Sequence, residues 1–302
     1  MSEVSKVNVV AIADIETING VDAGDIESIN GVDFVTGFTN VYALRQMTSP
    51  QTGSMQVANP SSYHFESGGT DQPFSISAWV HGADNPPRRF RVATKGTVAI
   101  GATPTNMEWS LSSGDPPWYA PTDPPPYHFK IFGNTGGSVY IERFGGAMSI
   151  SGTWNHLVAT YDASGASSGM KLYLNGSDVT STTAGNNVGT YSALADSGLP
   201  VTIGSMPGNS DRFKGYIDEV SIWTKELSVS DIADIYNSGT PTDISASGSL
   251  LSWWRMGDSD GGTGTTITDV QGTGNGSLDN ANGAAGAGKF ATGDGISSES
   301  AP

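Results

Sequence analysis

The sequence has no cysteine. That absence excludes disulfides, thiolate nucleophiles, iron–sulfur clusters and cysteine-held zinc, and leaves oxygen ligands as the only metal chemistry on offer. Cations are scarce too: 14 Lys and Arg face 30 Asp and Glu, a formal net charge of −16. Such a chain lacks the positive footprint needed to neutralise phosphates or anionic headgroups, so neither nucleic acid nor membrane insertion is expected. Charged residues in total reach only 15 %, against about 25 % in ordinary domains, which argues against a helix-rich or coiled-coil chain. No run of about 18 apolar residues occurs. The opening MSEVSKVNVVAIADIETING has no basic start followed by an apolar block, so a soluble chain outside the signal-peptide route is expected. What is plentiful is glycine, 40 of 302 residues, joined by 16 prolines. A turn-rich, all-β architecture follows, in one large domain or two small ones.

The first 34 residues contain a duplicated unit: DIETINGVD (Asp14 to Asp22) returns as DIESINGVD (Asp25 to Asp33). Each copy reads either as one capped helical turn or as a two-residue Asn-Gly hairpin. In both readings Ile15, Ile18, Val21, Ile26, Ile29 and Val32 form an apolar row too small to bury itself. Residues 1–34 are therefore expected to be a docking arm, with folding back on the chain's own domain as the alternative.

From Phe34 to Trp223 the pattern is of short strands separated by Gly, Pro, Asn and Asp: PFSISAWVH, GTWNHLVATYD, MKLYLNG, LPVTIG and FKGYIDEVSIW. One helix is predicted in SDIADIYNSG, with Ser230 as N-cap and Gly239 as stop. These runs, in this order, resemble laminin-G-like domains of the concanavalin A-like lectin/glucanase superfamily, from about Gly37 to Gly239. The resemblance implies a two-sheet antiparallel jelly-roll sandwich. The opening strand usual in such domains is missing ahead of Tyr42, whereas SLLSWWRMGDSDGGTGTTITDVQGTGNGSLDNA (Ser249 to Ala281) looks like it. The expected organisation is thus an arm over 1–34, the sandwich over 35–240, a segment over 241–282 that completes it, and a Gly/Ala/Ser-rich tail over 283–302. A separate C-terminal appendage is the competing reading.

Because the superfamily includes glucanases, the resemblance makes an acid pair the requirement for any catalysis. Retaining glycosidases need two carboxyls about 5 Å apart, which alternating acids on one strand supply. None of Glu66, Glu108, Glu142, Glu219 or Glu226 has an aspartate two positions on, and strand alternation sends adjacent Asp218 and Glu219 to opposite faces. No enzyme activity is expected. Gly165 to Gly169 fits G-x-S-x-G but joins two strands, and Gly283 to Lys289 fits a phosphate loop but has Phe290 where Ser or Thr is needed. His64, His81, His128 and His156 lack metal-ligand spacing, and His156 reads as a packed residue.

Calcium is the one cofactor worth arguing, at two places. Asp258, Asp260 and Asp269 have partial calcium-loop spacing, and Asn209 and Asp211 precede the IDEV strand. In that strand alternation puts Asp218 on the stripe of Tyr216, Val220 and Ile222, where an inward carboxylate needs a compensating partner. For sugars, the proline-stiffened insertion DPPWYAPTDPPPY offers Trp118, Tyr119 and Tyr127 as stacking rings, with Trp109 on the stretch before it.

A recognition domain without an export signal is expected in a virion, made in the host cytoplasm and released by lysis. The resemblance to phage domains, marine phage among them, implies a non-enzymatic capsid-decoration, tail or fibre component. Its partners would be other virion proteins through the arm, host surface polysaccharide through the sandwich, and further copies of itself. A secreted bacterial adhesin or matrix protein is the alternative.

Overall fold

The computed structural model describes residues 17–18, 21–22, 28–29, 32–33, 38–46, 54–57, 60–82, 90–98, 104–113, 126–147, 152–182, 185–205, 213–262, 264–279, 295–297 and 301–302. The chain divides into Met1–Thr39 and Asn40–Pro302.

In the first unit each copy of the duplicated motif is a hairpin. Thr17–Ile18 pairs with Val21–Asp22, and Ser28–Ile29 with Val32–Asp33, in the same register, which puts Ile18 opposite Val21 and Ile29 opposite Val32. Only the Asn-Gly pair stands between the strands, so the hairpin reading replaces the helical turn. Ile15 and Ile26 lie outside the described residues.

The second unit is a sandwich of two antiparallel sheets. Among the described residues one sheet has nine strands in the order Gly185–Val188, Tyr140–Ala147, Pro126–Phe132, Pro104–Ser113, Phe90–Val98, Val201–Ile203, Ser54–Val57, Gly276–Asp279 and Thr266–Ile267. The other has eight: Ser177–Asp178, Met170–Leu174, Trp154–Tyr161, Phe74–Gly82, Gly215–Trp223, Ala43–Gln46 and Gly295–Ser297, with Leu250–Trp254 also paired to Gly215–Trp223. Period-two alternation builds the core between them. Phe74, Ile76, Ala78 and Val80 face inward from one strand, Leu157, Ala159 and Tyr161 from its neighbour, and Phe129 and Ile131 from the opposing sheet. The Phe, Ile, Val and Leu side chains among them each contribute about 1.5–3 kcal/mol by leaving water.

Residues 250–279 put strands into both sheets, and Trp254, Met256 and Ile267 join the same core. The Gly165 to Gly169 string is a turn between two strands. Asn175 (φ 50°) and Gly176 (φ 76°) form the two-residue hairpin that follows Leu174, both in the left-handed region such a turn requires.

The helix spans Val229–Tyr236. Its N-cap is Ser228, not Ser230: the Ser228 hydroxyl accepts from the Asp231 backbone N–H, and the Asp231 carboxylate accepts from the Ser228 N–H at 2.8 Å. That reciprocal pair satisfies two helix-end donors and starts the helix two residues earlier than the apolar spacing suggested. Among the described residues no helix is long and apolar enough to cross a membrane.

Candidate functional site

The outward face of the eight-stranded sheet is organised in cross-strand rows. Arg45, Tyr216, His81 and Trp154 are in register across four neighbouring strands, and Asp218, Trp79 and His156 form the next row. The helix covers that second row, because the Tyr236 ring stacks on Trp79 at 5.9 Å and on His156 at 5.8 Å. His156 Nε2 lies 2.7 Å from the Ser77 hydroxyl, a spacing that suggests an activated nucleophile. Yet His156 is fully buried between two rings and its Nδ1 has no hydrogen-bond partner, so no acid orients it. Burial pushes its pKa down to about 3 and holds it neutral. It is a packed histidine, as the sequence indicated.

Beside Asp218 lies a cluster that alternation did not predict. Ile217 and Val220 both face the core, although three positions apart, because a bulge follows Asp218 and Glu219 sits at φ 49°. The extra residue resets the period, so Tyr216 and Asp218 share the outward face and do not lie on the stripe of Val220 and Ile222. It also brings carboxylate oxygens of Asp218, Glu219 and Asp258 within 4.8 Å of one another. The expected separation of Asp218 from Glu219 is thereby corrected.

Protein donors hold this cluster. Asp218 Oδ2 accepts from Asn40 Nδ2 and the Ala301 N–H, both at 3.0 Å, and Oδ1 from the Glu219 N–H at 2.8 Å. Glu219 accepts from Trp253 Nε1 at 2.5 Å and Arg255 Nε at 3.2 Å. Asp258 Oδ1 accepts from the Val41 N–H at 2.9 Å, while its Oδ2 lies 3.7 Å from Arg255 Nη2 without a hydrogen bond. Burial raises the pKa of all three acids: Asp218 well above the usual range, helped by the neighbouring Glu219 charge, Glu219 to about 7 against the pull of Arg255 and Trp253, and Asp258 more modestly. With five of six carboxylate oxygens taken by N–H groups and a guanidinium supplying the counter-charge, the donor set does not make a six- to eight-oxygen calcium cage.

The other predicted calcium residues go elsewhere. Asp260 accepts from the Thr268 backbone N–H and hydroxyl. Asp269, buried, accepts from Ser252 Oγ and the N–H groups of Trp253, Gln271 and Gly274. Each caps its own turn, and the three aspartates do not converge. Asn209 and Asp211 lie outside the described residues. A second group, His64, Glu108 and Asp196, also brings ligand atoms within 4.8 Å. There Glu108 is buried and already engages Lys95, Ser197 and His64 Nδ1, while His64 Nε2 faces Glu66 at 3.2 Å. Residues 44 apart in sequence gave no spacing by which to see it.

Residues 51–233 match the Laminin_G_3 model of the concanavalin A-like lectin/glucanases superfamily. The chain belongs to that family. No curated protein matches it. Among solved structures, a Bacteroides ovatus ATCC 8483 protein described as carbohydrate binding is 18 % identical with a TM-score of 0.51, covering 80 % of this chain and 58 % of its own. This chain thus spans less than two thirds of that relative. A heptameric SAP-like pentraxin from Limulus polyphemus is 9 % identical (TM-score 0.40, 65 % and 80 % covered). Botulinum neurotoxin type C, whose cell entry depends on two ganglioside molecules, is 18 % identical (TM-score 0.42, 65 % and 42 % covered). At these identities the likeness is one of fold.

In this Laminin_G_3 sandwich two of the predicted sugar-stacking rings are core residues. Trp109 is fully buried with its indole N–H donated to the Tyr63 carbonyl at 3.1 Å, and Tyr127 is buried with its phenol pushed up by burial. Both fall on inward positions of their strands, so neither can stack on a sugar. Trp118 and Tyr119 lie outside the described residues. The outward face of the nine-stranded sheet is polar instead. Arg91 Nη1 donates to Ser110 and Ser112 at 3.1 and 2.8 Å, Ser112 meets His128 Nε2 at 2.9 Å, and Lys130 pairs with Glu142 at 3.0 Å. These side chains are closed to solvent and engage one another through those contacts.

Proposed function

We propose that this chain is a non-enzymatic, lectin-like recognition protein of a virion, with the sandwich contacting host surface polysaccharide and the duplicated hairpins docking to other virion proteins. One observation carries the non-enzymatic part. Among the described residues Glu108, which comes close to Asp196, is 0 % exposed and engaged by Lys95, Ser197 and His64, and the consecutive pair Asp218 and Glu219 are 0 % and 5 % exposed and are hydrogen-bonded to protein on all four oxygens. A glycosidic bond would have to displace Asn40, Ala301, Trp253 and Arg255 to lie between them, and general acid–base catalysis needs the acid within reach of the substrate. The virion assignment draws on the resemblance to phage domains and on a small N-terminal unit whose hairpins are too short to be independently stable. As a capsid-decoration, tail or fibre component the chain would be displayed in several copies.

The test is to probe particles and purified protein together. The reading expects the chain in purified virions, removable by an antibody to the sandwich, and expects the isolated protein to retain polysaccharide on affinity electrophoresis. Absence from particles overturns the virion assignment, and free migration through every polysaccharide overturns the lectin assignment.

A further inference from the structure

We infer that His64, Glu108 and Asp196 form a zinc site whose fourth position is left to water. The inference stands apart from the recognition reading and would survive its failure. Three stretches far apart in sequence meet there. His64 follows the turn Pro60–Tyr63, Glu108 lies on the strand Pro104–Ser113, and Asp196 precedes the strand Val201–Ile203. One ligand atom from each lies within 4.8 Å of the other two.

The fold brings the ligands together without help from a metal. Trp109, next to Glu108, donates its indole N–H to the Tyr63 carbonyl at 3.1 Å, so the turn that carries His64 is pinned to the strand that carries Glu108. On the other side the Ala195 N–H donates to the Phe132 carbonyl at 2.8 Å, which anchors the stretch that carries Asp196. Glu108 is buried, His64 half-buried and Asp196 exposed, so the site is reached from solvent past a side chain free to close on an ion.

The placement of protons then asks for a cation. His64 Nδ1 lies 3.1 Å from Glu108 Oε2, and its Nε2 lies 3.2 Å from Glu66 Oε2. A neutral imidazole has one N–H to share between these two carboxylates. Glu66 is an ionised acceptor, its carboxyl held below the usual range by the Gly69 N–H and by His64. With the proton on Nε2, the Nδ1 lone pair faces Glu108 Oε2, one acceptor against another. The Lys95 ammonium and the Ser197 N–H and hydroxyl all go to Glu108 Oε1, so they do not relieve that contact.

A zinc ion accepts both lone pairs. Ligand atoms about 2.0–2.1 Å from a tetrahedral zinc stand about 3.3 Å apart, close to the separation of Nδ1 and Oε2. One imidazole nitrogen with two carboxylates is a set zinc takes, whereas calcium asks for six to eight oxygens. The outer contacts are those that orient metal ligands: Glu66 on the far nitrogen of His64, Lys95 and Ser197 on the far oxygen of Glu108. Charge closes as well. Around a neutral His64, the carboxylates of Glu66, Glu108 and Asp196 against the Lys95 ammonium leave two negative charges, which a divalent ion cancels.

The experiment titrates the untagged full chain, prepared in buffer without added metal and so free of it, with zinc chloride in a calorimeter. One equivalent is expected to bind with micromolar affinity, and calcium chloride far more weakly. His64→Ala and Asp196→Asn should each weaken zinc binding tenfold or more, and Glu66→Gln, which alters only the support of His64, about tenfold. Asp196 is exposed, so its variant tests the site without disturbing the buried Glu108. In nitrogen-detected histidine spectra at pH 8, zinc should shift Nδ1 of His64 while Nε2 keeps its proton, a readout that needs no variant. Three results overturn the site: no uptake at millimolar zinc, uptake undiminished in both His64→Ala and Asp196→Asn, or a His64 ring that carries protons on both nitrogens and ignores zinc. Calcium bound as tightly as zinc overturns the choice of metal.

Discussion

Asp218 and Glu219 are consecutive in one strand, yet their carboxylates lie within 4.8 Å of each other because Glu219 adopts a left-handed backbone at φ 49°. A non-glycine residue there costs of order 1–3 kcal/mol and persists only where its surroundings over-determine it. Here Trp253 and Arg255 hold the Glu219 side chain, while Asn40 and Ala301 hold Asp218. The pair thus ties a bulged strand to residues far away in sequence.

This arrangement sets an unusual pH dependence. Asp218, Glu219 and Asp258 all have pKa values raised by burial, so their stabilising contribution is complete below the unfolded carboxylate range and is lost as pH rises through the folded values, about 7 for Glu219. His156 has the opposite sense: its pKa is lowered to about 3, so its contribution is present above about 6.5 and is lost as pH falls toward 3. Thermal unfolding followed from pH 3 to 9 should show greatest stability near about pH 4 to 4.5, with a decline as pH rises toward 7 and a smaller one as it falls toward 3. Glu219→Gln should flatten the alkaline limb and leave the acid limb in place.

Asp269 is expected to matter for stability and not for metal. Four donors converge on its buried carboxylate, so Asp269→Ala should destabilise by about 3 kcal/mol, and more than Asp260→Ala, whose half-exposed carboxylate accepts from Thr268. Urea unfolding measures both. A chelator should leave the midpoint of the parent protein unchanged, and a fall on chelation would reinstate calcium.

Strand approach gives a sharper check of the sheet. Gly215 has φ 146°, and a Cβ there would run into the His81 carbonyl and lie 2.9 Å from the Gly82 Cα. Gly198, also left-handed at φ 63°, has nothing within 4 Å of that position. Gly215→Ala should therefore cost about 2–4 kcal/mol and Gly198→Ala about 1 kcal/mol, read from denaturant midpoints. Equal costs would contradict the pairing of the Gly215–Trp223 and Phe74–Gly82 strands.

The sandwich was legible because its signals are local. Alternation in FSISAWV and NHLVATY announces which residues face inward, and the Asn-Gly pairs mark hairpins at Asn175 and in the duplicated unit. The acid cluster was not legible. A bulge has no sequence signature when its left-handed residue is a glutamate and not glycine, and strict alternation then places Asp218 on the wrong stripe. The aromatic row was hidden for another reason: Tyr216, His81 and Trp154 are ordinary strand residues until non-local register aligns them. Trp109 and Tyr127 misled because a proline-rich neighbourhood suggested a loop where inward strand positions occur.

Removal of residues 1–33 should leave the sandwich intact, since Asn40–Pro302 forms its own compact unit. The truncated protein should unfold within a few degrees of the full chain by calorimetry, yet fail to enter particles when supplied in trans. Normal incorporation would assign docking to the sandwich.

The claim underlying this account is that the domain recognises saccharide without transforming it. Incubating purified full-length protein with a panel of bacterial and algal polysaccharides, and following reducing ends over days, tests this most directly. The account predicts binding with no release of reducing ends above a buffer blank. Release that disappears in both Asp218→Asn and Glu219→Gln would contradict it and make the buried acid pair a catalytic one.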